Sequence, residues 1–232
     1  MKKIVIAVIA ILFLGSVYMG FRAAAQMNER ILSKDENGDL NNTSTQKNYL
    51  IIHVSTLTGE SPFLVSVWGM FVNNIESPHL AFVPLYPSAS EESLKRLSSS
   101  FTFRKDQTIA NRFIRRLERE YDIDINGYIL VDNFAVSSLH AWIDQESVRF
   151  PQTETQSMQD YEKVLANEQI FFSSLCGHFQ EGGVRPVLNK IQWSDLLPDH
   201  FATSLTFEEM TLAVDTLESA DEIKSCEVLN SQ

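Results

Sequence analysis

The apolar positions fall into an uncharged N-terminal run, short β-favouring stretches and a stripe at helical spacing. At the N-terminus Met1-Lys2-Lys3 precedes an uncharged run, "IVIAVIAILFLGSVYMGF", from Ile4 to Phe21. At about 1.5 Å per residue this run measures roughly 27 Å as a helix, enough to cross a hydrocarbon core. Residues 26–48 are polar without periodicity and read as a linker. From Tyr49 the pattern turns to strands. "YLIIHVS" (49–55), "FLVSVWGMFV" (63–72) and "HLAFVP" (79–84) are rich in β-favouring residues and bounded by turn signals, which predicts a meander in a central sheet. Then Ile109, Phe113, Leu117 and Tyr121 recur every fourth residue, the apolar stripe of a helix. "DIDINGYILVDN" (122–133) reads as a turn and a buried strand, and "FAVSSLHAWI" (134–143) as the start of a helix. After a polar loop, helices follow at about 160–178 and 206–219. Strands interleaved with helices predict an α/β fold, a layered domain with a central mixed β-sheet flanked by helices and preceded by one N-terminal transmembrane helix.

The 232 residues suit one domain plus an anchor. The boundaries read as an anchor or signal over 1–22, a linker over 23–48, a folded domain over 49–220 and a C-terminal tail over 221–232. Lys2 and Lys3 with the N-terminal amine outweigh Arg22, so the positive-inside rule places the folded domain outside the cytoplasm. "AAAQ" (23–26) is similar to a signal-peptidase site, but the apolar run exceeds most signal h-regions, which favours an uncleaved anchor. A net charge of −11 argues against nucleic acid as a partner. Cys176 and Cys226 are compatible with a disulfide in an exported protein or with two separate buried thiols. Their spacing gives no metal signature.

The motifs of nucleophilic, nucleotide-binding and metal chemistry are missing from the sequence: it has no GxSxG, P-loop or GxGxxG, and its five histidines are scattered. Asp122 and Asp124 before Gly127 read as turn formers. From Lys95 to Arg119 eight bases face only Asp106 and Glu118. Arg112, Arg115, Arg116 and Arg119 share one helix face, open to anionic lipid headgroups or a polyanionic polymer.

The order of elements resembles the LytR-CpsA-Psr (LCP) family over about residues 49–218. The segments that carry the resemblance are "LEREYDIDINGYILVDNFAVSSLHAWI" (117–143), "VLANEQIFFSSLC" (164–176) and "FATSLTFEEMTLAV" (201–214). In the last, Thr206 and Glu209 form a capping box. The resemblance implies a membrane-anchored extracytoplasmic enzyme that transfers glycopolymers from polyprenyl-pyrophosphate to the cell wall. It also implies arginines that clamp the pyrophosphate, acids that hold Mg²⁺, and an apolar tunnel for the lipid tail, for which Phe63, Phe71, Phe82 and Phe113 are candidates.

The family's charged positions are changed here. Ser55 stands at the first Asp slot and Leu57 at its Arg slot. Leu85 and Tyr86 stand at an Arg-Asp slot, expected at the pocket mouth, and Leu165 and Glu168 at two further Arg slots. Each charge-assisted bond to phosphate contributes roughly 1.5–3 kcal/mol, so these losses remove most of the implied pyrophosphate site. The expectation is a catalytically degenerate domain, binding a lipid carrier, glycopolymer or partner without cofactor. The alternative is an active phosphotransferase using Glu60 as its acid, with Asp132, relocated arginines such as Arg104 or Arg112, and Mg²⁺.

Overall fold

The computed structural model describes residues 46–59, 62–73, 78–87, 91–104, 108–151, 158–218, 223 and 225–229. The apolar N-terminal run and Glu60 lie outside them. Among the described residues no helix is long and apolar enough to cross a membrane.

A six-stranded mixed sheet forms the centre. Its strands are β1 (Gln46–Val54), β2 (Leu64–Asn73), β3 (His79–Tyr86), β4 (Gly127–Asp132), β5 (Phe201–Thr203) and β6 (Ser225–Val228), in the order β5-β4-β1-β2-β3-β6. β1 pairs with β4 and β3 with β6 in parallel; the other neighbours are antiparallel. The helices are α1 (Glu91–Ser100), α2 (Asn111–Tyr121), α3 (Asn133–Ile143), α4 (Met158–Gly182), α5 (Val184–Leu188), α6 (Trp193–Leu196) and α7 (Phe207–Glu218).

Period-two alternation sorts β1 into two faces. Leu50, Ile52 and Val54 join Leu97 of α1 and Phe113 and Leu117 of α2 in one core. Tyr49, with Trp68 of β2 and Phe82 of β3, packs on the other side against Phe171, Phe172 and Phe179 of α4. Val131 of β4 meets Ala135 and Val136 of α3 and Leu196 of α6 there as well. The result is three layers, helix–sheet–helix.

Local signals set the joints. Asp132 ends β4 and caps α3, its Oδ1 accepting from the Ala135 N–H at 3.0 Å. Thr206 and Glu209 form the expected capping box at α7, with Thr206 N–H to Glu209 Oε2 at 2.7 Å and Glu209 N–H to Thr206 Oγ1 at 3.2 Å. Gly127 lies against Leu205, where a Cβ would clash with the leucine methyl.

Two assignments from the sequence change. Residues 225–228, taken as tail, are a strand on the edge of the sheet, pinned to α4 by a Cys176–Cys226 disulfide. β3 continues through Pro84 to Tyr86, so Leu85 and Tyr86 are core residues and not a mouth.

Candidate functional site

The carboxyl ends of the parallel pair β1 and β4 meet, and the loop after Val54 folds over the end of β4. Such strand ends are where open α/β sheets bind ligands. Ser55 closes the loop, its N–H donating to Phe63 O at 3.0 Å and its Oγ accepting from Phe63 N–H at 3.1 Å. Asp132 is buried beneath it. Besides capping α3, it accepts from the Leu57 N–H at 3.3 Å and from His200 Nδ1 at 2.8 Å through Oδ2. The His200 ring packs on half-exposed Phe134, centroids 4.2 Å apart. With Nδ1–H given to Asp132, Nε2 is the nitrogen left for solvent or a ligand, the orientation of a carboxylate–imidazole dyad. Both Asp132 oxygens accept hydrogen bonds from the protein. Among the described residues no three His, Cys, Asp or Glu side chains converge as a cation site.

Behind this edge, between the sheet and α4, lies an apolar pocket of about 180 Å³. Ile51, Trp68, Val131, Phe171, Trp193 and Phe201 are among the residues that line it. None of the phenylalanines expected at a tunnel does; Phe82 and Phe113 are fully buried in the two cores.

Five polar side chains are buried in the pocket's wall and behind it. Glu168 Oε1 receives His53 Nδ1 at 2.6 Å and Ser66 Oγ at 2.8 Å, and Oε2 accepts from Trp68 Nε1–H at 2.8 Å. His53 Nε2 donates to Asn133 Oδ1 at 2.8 Å, an orientation fixed because Asn133 Nδ2 donates to Pro151 O at 2.7 Å. One proton therefore lies between His53 Nδ1 and Glu168, and the pair is neutral as a unit. That is how a carboxylate at 3% exposure persists in an apolar layer. Glu168 is a core residue. Leu57 and Leu85 are equally buried.

The arginines do not join this site. Arg112, Arg115, Arg116 and Arg119 lie on the outer side of α2, whose inner side packs on the opposite face of the sheet from the pocket. Arg112 is held by Ser100 O at 3.2 Å, Arg116 by Arg96 O at 3.4 Å and Arg119 by Arg115 O at 3.1 Å. Arg104 is exposed on the segment before α2. Among the described residues the partners of Asp132 are Leu57, Ala135 and His200, and none of these arginines. Of the residues expected to bind, only Asp132 is at the strand-end site. Glu60 belongs by sequence to the loop after β1.

Sequence reasoning missed His53, Glu168, Asn133 and His200. The one local signal was His53, a polar residue at an inward position of an otherwise apolar strand. Its partner lies 115 residues away, beyond any spacing rule.

No protein-family model and no curated protein matches the chain. Among solved structures the fold is similar to that of TagT bound to LIIa-WTA, with a TM-score of 0.52 at 9% identity, covering 84% of this chain and 82% of that one. A weaker likeness links it to protein gbs0355 from Streptococcus agalactiae, with a TM-score of 0.49 at 8% identity over 80% of this chain and 77% of that one. At such identity the likeness shows a shared fold. Because TagT is an LCP-family enzyme, the scaffold is LCP-like.

Proposed function

We propose that this chain is a membrane-anchored, extracytoplasmic LCP-like protein of the cell envelope that holds the hydrocarbon end of a lipid carrier and does not transfer its phosphate. The observation that carries this reading is the apolar pocket between the sheet and α4 on a scaffold shared with TagT. At about 180 Å³ it is smaller than the roughly 300–1,000 Å³ of most ligand sites. It takes the end of a chain and not a whole polyprenyl tail. The loss of phosphotransfer is supported by buried, uncharged or paired side chains at the family's charged slots, Leu57, Leu85, Tyr86 and Glu168. Arg112, Arg115, Arg116 and Arg119 are on the other side of the sheet.

The test is a titration of the protein with polyprenyl phosphates and pyrophosphates of increasing length, read by tryptophan fluorescence and by phosphate release. Trp68 and Trp193 line the pocket, so occupancy changes their emission directly. Saturable binding without turnover, unaffected by Mg²⁺, is the expected result. Phosphate release would establish the active-transferase alternative, and an unchanged spectrum at every length would remove the lipid reading.

A further inference from the structure

We propose that the arginine face of α2 docks on an anionic phospholipid surface. Three observations on different parts of the chain lead there.

The first is charge without neutralisation. Arg112, Arg115 and Arg119 are exposed and Arg116 is half-buried. Three of them are steadied by backbone carbonyls. Among the described residues none of the four has a carboxylate within ion-pair distance, in a chain whose net charge is −11. The nearby acids are turned elsewhere. Glu120 takes Ser93 Oγ at 2.7 Å and Arg96 at 3.2 Å, and Glu118 faces the Ile125 N–H at 3.4 Å. Asp122 and Asp124 remain exposed beyond the helix end and temper the field there.

The second is position. The turn after α2 is bound to the start of β1: Asn48 Nδ2 donates to Asp124 O at 2.8 Å, Asn48 N–H to Asn126 Oδ1 at 2.7 Å, and Asn126 N–H to Asn48 O at 2.8 Å. The carboxyl end of α2 therefore lies where the chain enters the domain. Only residues 22–45 separate that entry from the uncharged run Ile4–Phe21. The inference rests on the membrane-anchored reading proposed above, under which this is the end of the domain that the chain joins to the bilayer.

The third is shape. Phe113 and Leu117 of α2 are buried and Ile114 and Tyr121 pack against the same core, so the outer side carries charge and no inserting group. Such a face binds at the headgroup level through electrostatics, about 1 kcal/mol for each arginine near the surface. A soluble phosphate polymer satisfies the same guanidinium chemistry, but only the bilayer is brought there by the chain itself.

The experiment uses the full chain reconstituted in vesicles. Both native cysteines are in the disulfide, so an added cysteine is the single reactive thiol. A fluorophore is placed at Asn111→Cys on α2 and, as control, at Leu212→Cys on the exposed side of α7, and quenching by nitroxide-headgroup lipid is measured. The expected result is quenching at 111 and not at 212, in phosphatidylglycerol vesicles and not in phosphatidylcholine, lost at about 0.5 M salt. Each Arg→Gln change at 112, 115 or 119 lowers the docked-to-free ratio roughly fivefold. Folding of the variants is checked by circular dichroism. Equal quenching at both positions, indifference to lipid charge, or release by soluble poly(glycerol phosphate) at low concentration overturns the proposal. Polyprenyl phosphate binding by the same variants reads the pocket separately and stays unchanged.

Discussion

Two buried histidines show opposite ways of carrying an imidazole in an apolar layer. His53 is fully partnered. His140, on α3, is fully buried with no hydrogen bond at either ring nitrogen. Its ring packs 4.6 Å from Phe171, and burial lowers its pKa against the opposing pull of Asp144, Glu168 and Glu146. A folded pKa below the unfolded value means the unfolded chain binds more protons, so this histidine contributes stability above pH 6.5 that is lost as pH falls. Melting temperature is expected to drop between about pH 7.5 and 5.5, and His140→Leu is expected to remove that part of the slope. For the other pair, Glu168→Gln leaves His53, Ser66 and Trp68 facing an amide in place of a carboxylate. Breaking a buried pair this way costs about 3–5 kcal/mol. A double-mutant cycle with His53→Leu in urea denaturation checks this: coupling near zero contradicts the shared proton.

At the scale of elements, the joints are made by single residues and one covalent bond. Asp132 at once ends β4, caps α3, holds the loop after β1 and orients His200. Asp132→Ala therefore removes a cap contributing about 0.5–2 kcal/mol and frees both the loop and the imidazole. Hydrogen exchange at the Leu57 and Ala135 amides is expected to rise in this variant, with exchange in α2 unchanged. The edge strand β6 depends on the Cys176–Cys226 bond, which closes a loop with a sequence separation of 50. Chain entropy for a loop of that size puts the loss on reduction near 4 kcal/mol. Denaturation with and without reductant measures it, and a loss below about 1 kcal/mol would mean β6 stays paired without its clasp.

For the whole molecule, the sheet separates two surfaces of different chemistry. One side carries α1 and α2 with the unpaired arginines; the other encloses the apolar pocket under α4. A ligand of the pocket is expected to stabilise the fold by about 2.7 kcal/mol at a hundredfold excess over its dissociation constant. A thermal shift with polyprenyl phosphate that persists after Arg112→Gln and Arg119→Gln, and is lost after Ile51→Phe narrows the pocket, locates binding on the α4 side. A shift abolished by the arginine changes would place the ligand on the other surface instead.

What the sequence determined by itself was whatever depends on neighbours along the chain. The β-favouring stretches that became β1 to β4, the four-residue stripe of α2, the Thr206–Glu209 cap and the outward arginines are all set locally, by residue type and by spacing along the chain. The resemblance carried the order of those elements, and the fold bears it out at the level of topology. Tertiary structure decided what needs partners far apart. His53 meets Glu168 and Asp132 meets His200 only because β1, β4, α4 and the segment before β5 converge, and no spacing rule reaches across such separations. Leu85 and Tyr86 joined a strand that seemed to stop at Pro84, and residues 225–228 joined the sheet from a stretch taken as tail, for the same reason: an edge strand is chosen by the strand it pairs with, and that neighbour is not written in its own residues.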